Sequence, residues 1–217
     1  MERIISPSML SADFGHLDRD TRMIDESAAQ WIHIDVMDGV FVPNISFGFP
    51  VMKPIRRASA KFLDVHLMIV ELEKHQAFCR GGSRPRDFPH EATTPLGAIR
   101  MIKECGVKAG ISVKPATPVE VLESCCPSST VLIMSVEPGF GGQSFMEGSW
   151  EKVRRLRRMI DDRGLPVLIE IDGGVSASNA GDLFAAGCDA LVAGSAVFGA
   201  ADPKAEIVKM LEAQSSR

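Results

Sequence analysis

Three short segments each carry two chemistry-bearing side chains two positions apart: His33-Ile34-Asp35, Asp64-Val65-His66 and Glu170-Ile171-Asp172. On an extended strand, residues at that spacing share one face. Each segment closes an apolar run (Trp31–Asp35, Lys61–His66 and Val167–Asp172) that reads as a strand of a parallel sheet, ordinarily apolar on both faces. Leaving His33, Asp35, His66 and Asp172 unpaired there would cost roughly 1–3 kcal/mol each. A divalent metal ion bound by these four residues removes that cost, and two imidazoles with two carboxylates suit Zn, Fe, Mn or Co. For any one histidine, a hydrogen-bonded core pair with aspartate is the simpler reading. Three strand ends sharing one pattern favour the metal.

Glycine clusters follow the late strands. Glu137-Pro138-Gly139-Phe140-Gly141-Gly142-Gln143 comes after the sixth strand in barrel order, Gly173-Gly174 after the seventh, and Gly194-Ser195 after the eighth. Glycine lets backbone N–H groups converge on an anion, and barrels often hold phosphate in the last two such loops. A lone Gly-Gly would read as a tight turn; three clusters in succession read as a phosphate cradle. Metal, carboxylates and phosphate at one end of a barrel suggest proton transfer beside a carbonyl, through an enediolate. Epimerisation needs an acid/base group on each face of a carbon, and two aspartates from distant strands supply that.

The elements that must position these residues alternate. Strands are expected at Ile4–Ser8, Trp31–Asp35, Lys61–His66, Lys108–Val113, Thr130–Ser135, Val167–Asp172 and Ala190–Ala193. Helices are expected at Asp13–Ala29, Gly48–Arg57, Glu71–Cys79, Pro95–Glu104, Val119–Ser124, Phe145–Arg163, Ser178–Ala186 and Pro203–Glu212. Strand–helix alternation implies parallel pairing through right-handed crossovers, and 217 residues suit one (β/α)8 TIM barrel spanning 1–217 as a single domain. A doubly wound open sheet is the alternative, but no GxGxxG follows the first strand. Seven strands can be counted, with a gap between Cys79 and Thr93.

A formal net charge of −4 argues against a nucleic-acid partner. The basic run Lys152, Arg154, Arg155, Arg157 and Arg158 is interleaved with Val153, Leu156 and Ile160, which reads as the solvated face of a barrel helix. Five cysteines without a CxxC pair read as reduced thiols. The start carries no signal-peptide run and no segment is long enough to span a membrane, so a soluble, cytoplasmic protein is expected.

Over nearly the whole chain, and in the same order, the sequence resembles the ribulose-phosphate 3-epimerase family. The likeness rests on Ser6-Pro-Ser8-Met-Leu-Ser-Ala-Asp-Phe14, His33-Ile-Asp35-Val-Met37-Asp-Gly39, Phe41-Val-Pro-Asn44, Asp64-Val-His66-Leu-Met68, Met134 to Gln143, Glu170 to Gly174 and Ala193-Gly-Ser195. The resemblance implies interconversion of D-ribulose 5-phosphate and D-xylulose 5-phosphate. It implies His33, Asp35, His66 and Asp172 as ligands of one divalent metal ion, with Asp35 and Asp172 also the catalytic acid/base pair. It further implies that His33, His66, Ser8, Met37, Met68 and Met134 border the substrate. Gly139, Phe140, Gly141, Gly142, Gly173, Gly174, Gly194 and Ser195 would surround the substrate's phosphate end. A small ketose phosphate partner and a homo-oligomer are implied as well. A ketohexose 6-phosphate 3-epimerase would share these features.

One stretch departs from the family pattern. Where a turn and an apolar fourth strand belong, the chain reads Cys79-Arg-Gly-Gly-Ser-Arg-Pro-Arg-Asp-Phe-Pro-His90. Charge and proline disfavour a central strand, so the fourth strand is expected to be disrupted or missing around residues 80–90. With suitable synonymous codons, Phe78–His90 read one nucleotide later gives Ser-Ala-Glu-Ala-Gly-Ala-Asp-Arg-Val-Thr-Phe-His, close to the missing piece. A local frameshift is one account of the segment, and a defective, non-catalytic paralogue is another. The codons across it decide the first.

Overall fold

Residues 3–71, 86–89, 95–124 and 129–216 are described by the computed structural model of the chain. Its strands are β1 (Ile4–Pro7), β2 (Trp31–Met37), β3 (Phe62–Met68), β4 (Arg86–Pro89), β5 (Ala109–Val113), β6 (Thr130–Met134), β7 (Leu168–Asp172) and β8 (Ala190–Ala193). They form one 8-stranded parallel sheet in the order β1-β8-β7-β6-β5-β4-β3-β2. A parallel bridge between Ser8 and His33, and a bond from Gln30 N to Ile5 O (3.2 Å), bring the two end strands together. The result is a (β/α)8 barrel.

The helices among the described residues are α1 (Leu17–Asp25), α2 (Phe49–Ala58), α3 (Pro95–Glu104), α4 (Ser149–Asp161), α5 (Ala177–Ala186), the short α6 (Ser195–Phe198) and α7 (Pro203–Glu212). Their ends follow local chemistry. Asp202 caps α7 by accepting from Ala205 N, and Pro203 fills the first turn, where an N–H would be unused. The Asn179 side chain accepts from Ser176 N at the start of α5, and Gly187 ends that helix at φ 116°. Alternate strand residues such as Ile32, Ile34, Leu63, Val65, Ile169 and Ile171 are buried in one continuous apolar core. On α4, Val153, Leu156 and Ile160 face that core while Arg154, Arg155 and Arg158 are exposed, as the basic run's spacing requires.

Several boundaries differ from those read along the chain. The helix expected from Asp13 starts at Leu17, because the Asp13 carboxylate accepts from Gly15 N and holds a turn there. Val119–Ser124 is a 3-10 helix, and Phe145–Arg163 shortens to α4. β2 and β3 each run two residues further than expected, to Met37 and Met68. The expected helix at Glu71–Cys79 lies, beyond Glu71, outside the described residues.

The fourth strand is present, though reduced. Arg86–Pro89 pairs with β5 over four residues and with β3 through only two, Val65↔Arg86 and His66↔Asp87. Pairing uses backbone groups, which Arg86, Asp87 and Phe88 all possess. Pro89, which lacks a donor, falls at the strand's last position. Among the described residues no helix is long and apolar enough to cross a membrane.

Candidate functional site

The register between β2 and β3 assembles the site. His33 pairs with Asp64, Asp35 with His66, and Met37 with Met68, so each polar or sulfur-bearing residue has its partner beside it on the same face. On β7, Glu170 and Asp172 fall on one face in the same way, opposite Leu132 and Met134 of β6. With Ile and Val turned to the helices, these side chains are turned into the barrel. His33, Asp64 and Glu170 are wholly buried, and Asp35 and His66 nearly so. Asp172 is half-buried.

His33, Asp35, His66 and Asp172 each offer a ligand atom, and the four atoms lie within 4.8 Å of one another. Asp35 is at the centre. Its Oδ1 is 3.2 Å from His33 Nε2 and 3.4 Å from His66 Nδ1, while its Oδ2 accepts the Ser8 hydroxyl at 2.8 Å. The far nitrogen of each ring is also engaged. His33 Nδ1 meets Asp64 Oδ2 at 2.5 Å, and His66 Nε2 meets Ser112 Oγ at 3.0 Å.

The charges sort the two aspartates. Burial alone would raise Asp35, but the His33 and His66 rings beside it hold its carboxyl well below the usual carboxylate range. Burial, and then the negative charge of Asp35, push Asp172 up to about 7. Burial opposes a charge on His33, yet the Asp35 and Asp64 carboxylates raise it well above the ordinary imidazole value.

The donor set fits a divalent cation. The His66 Nδ1 atom is buried with no hydrogen-bond partner. It faces Asp35 Oδ1 at 3.4 Å, lone pair toward lone pair unless a proton or cation intervenes. A buried acceptor left in that position costs energy, and a cation shared by imidazole and carboxylate removes the cost.

Above the cluster a cavity opens. It is walled by Ser8, Asp35, Met37, Met68, Met134, Asp172 and the glycine loops Gly139–Gly142, Gly173–Gly174 and Gly194–Ser195, with Phe140 at its edge. His33 and His66, expected beside the substrate, are buried directly behind Asp35, which lines this wall. Gly174 is at φ +63°, where a Cβ would come within 2.3 Å of Phe145 N. At Gly194 a Cβ would come within 2.4 Å of Ser11 Oγ, so a larger residue there would have to displace the Ser11 side chain.

Sequence reading gave no role to Asp64, Glu170 or Ser112, which surround the histidines from below. Asp64 and Glu170 sit two residues before His66 and Asp172, so the same strand alternation that marked the ligands also points them inward. Ser112 carries no such local signal; its serine sits in an otherwise ordinary apolar strand.

Residues 4–198 match the profile described as the Ribulose-phosphate 3 epimerase family. The chain is 47% identical over 202 residues to "Ribulose-phosphate 3-epimerase" of Synechocystis sp., covering 91% of this chain and 88% of that protein. It is 44% identical over 207 residues to the protein of the same name in Bacillus subtilis, covering 94% and 95%. Among solved structures, 3-hexulose-6-phosphate synthase from Salmonella typhimurium superposes with a TM-score of 0.68 at 18% identity, covering 97% of each chain. That last likeness is one of fold.

Proposed function

Since the chain belongs to the ribulose-phosphate 3-epimerase family, and is thereby an isomerase, we propose that it interconverts D-ribulose 5-phosphate and D-xylulose 5-phosphate by two-base proton transfer at C3. The observation that carries this reading is geometric: the Asp35 and Asp172 carboxyl groups, from β2 and β7, come together beside His33 and His66 and both line one cavity.

Inverting a carbon centre requires a base on one face and an acid on the other. In this direction the Asp35 carboxylate takes the C3 proton and the Asp172 carboxyl returns one to the opposite face; the reverse reaction exchanges the roles. His33, Asp35, His66 and Asp172 would hold one divalent metal ion, Zn, Fe, Mn or Co. Such an ion supplies positive charge to the substrate oxygens as the proton leaves. The Ser8 hydroxyl keeps the Asp35 carboxylate in one orientation. Met37, Met68 and Met134 give the reacting carbons an apolar, polarisable wall that excludes water. The glycine loops, which line the same cavity, would offer backbone N–H groups to the phosphate.

The test is turnover of ribulose 5-phosphate by purified protein, before and after chelation and after readdition of each candidate metal. Activity lost on chelation and restored by one of them supports the reading. Full activity in metal-free protein removes the metal, and no activity in any form leaves only a sugar-phosphate binder. Relative rates on pentulose and hexulose phosphates decide the substrate.

A further inference from the structure

The two buried histidines turn opposite ring nitrogens toward Asp35: His33 its Nε2, His66 its Nδ1. Each ring's remaining nitrogen is met by a group from a neighbouring strand. Asp64 on β3 lies 2.5 Å from His33 Nδ1, and Ser112 on β5 lies 3.0 Å from His66 Nε2. All four residues are almost wholly buried, so water does not compete for these bonds.

We propose that Asp64 and Ser112 are positioning residues that fix opposite tautomers in the two histidines, so that Nε2 of His33 and Nδ1 of His66 both present lone pairs to one divalent cation. The proposal rests on the cation reading above and deepens it. The chemistry is set by what each partner can do. An ionised carboxylate only accepts, so His33 Nδ1 carries the proton and Nε2 is left to ligate. A hydroxyl can donate or accept, and the cation reading assigns Ser112 the acceptor's part toward His66 Nε2–H, which leaves Nδ1 bare. That is the same His66 Nδ1 found buried without a hydrogen-bond partner. Carboxylate and hydroxyl partners of this kind orient a ligating ring and raise its basicity.

Asp64 does more than orient. Its negative charge beside Nδ1 makes His33 the stronger donor of the pair, and Glu170 Oε1 adds a second carboxylate at 3.8 Å from the same nitrogen. His33, Asp64 and Glu170 lie close enough to hold a cation themselves. On this proposal they do not, because Nδ1 keeps its proton.

The test measures Co²⁺ affinity by chelator competition in the parent, Asp64→Asn and Ser112→Ala, with circular dichroism to establish that each is folded. A ten- to hundred-fold weaker dissociation constant is expected in both variants. Asp64→Glu and Ser112→Thr, which keep the carboxylate and the hydroxyl, should recover part of the loss. Affinity within two-fold of the parent in a folded Asp64→Asn and a folded Ser112→Ala overturns the proposal. Where a variant does not fold, the parent decides: ¹⁵N imidazole spectra of the zinc-loaded protein should show His33 ligating through Nε2 and His66 through Nδ1. Zinc on the other nitrogen of either ring, or a second stoichiometric zinc, sinks it. A parent that binds neither Co²⁺ nor Zn²⁺ removes the cation itself and this proposal with it, an outcome distinct from unchanged affinity in the variants.

Discussion

Ser8, just beyond the end of β1, donates its hydroxyl to Asp35 Oδ2 on β2 at 2.8 Å, across the seam where the first and second strands meet. A hydrogen bond to a buried carboxylate is worth about 1.5–3 kcal/mol, and about 1.4 kcal/mol is a factor of ten in rate. Ser8→Ala should therefore slow turnover about ten-fold or more while leaving the circular dichroism spectrum unchanged. A rate within two-fold of the parent would show that Asp35 is oriented by its other neighbours alone.

Asp35→Asn and Asp172→Asn each remove one of the two proposed proton carriers without changing side-chain shape. General acid–base groups contribute about 10²–10⁴-fold to rate, so each variant should lose at least a hundred-fold in kcat. Near-normal turnover in either one takes that aspartate out of the mechanism.

In metal-free protein, a ¹³C carboxyl titration should find Asp172 with a midpoint of about 7 and Asp35 ionised throughout the accessible range. The sign follows from linkage. A carboxyl raised in the folded state holds a proton the unfolded chain has already lost, so its contribution makes the metal-free fold less stable as pH rises from about 4 to about 7, then level. A cation at this site competes with the protons on Asp172 and on His33, both of which are raised, so apparent metal affinity should climb with pH through about 7 and go on climbing above it. Affinity independent of pH across that window would mean Asp172 is not a ligand.

Gly174→Ala forces an L residue into φ +63° and drives its Cβ toward Phe145 N, a backbone atom with no rotamer to move. The expected cost is about 1–3 kcal/mol of stability. A thermal melt of the metal-free protein shows it, and KM for the sugar phosphate should rise as the loop shifts. An unchanged melting temperature would mean the turn can rebuild itself.

Asp38 ties three loop amides together. Its Oδ1 accepts from Val40 N and Phe41 N at 2.8 Å each, and its Oδ2 from Val70 N at 2.8 Å. Burial works against its charge, but these amides hold the carboxyl below its usual range. The stability it contributes is present above the unfolded value and lost as pH falls through the lower folded one. Asp38→Asn should lower the melting temperature at neutral pH and matter progressively less in acid; an equal deficit at pH 7 and pH 3 would assign the loss to packing.

Much of this was legible along the chain because strand alternation is a local rule. His33 and Asp35, or Asp64 and His66, must share a face wherever their strands lie, and Gly139 to Gly142, Gly173, Gly174 and Gly194 announce turns where their strands end. The alternation of apolar runs and amphipathic stretches likewise implies a barrel. What it could not set was register and contact between strands far apart in sequence. That Asp35 sits beside His66, that Ser112 reaches His66 from β5, that Asp64 meets the inner nitrogen of His33, and that both histidines stand behind the cavity wall follow from how the parallel strands slide past one another and curl. Hydrogen bonds and burial across the sheet fix that arrangement; the residues on any single strand carry no record of it. The segment at Arg86–Pro89 makes the same point from the other side: its side chains argued against a central strand, and backbone pairing with β3 and β5 placed one there.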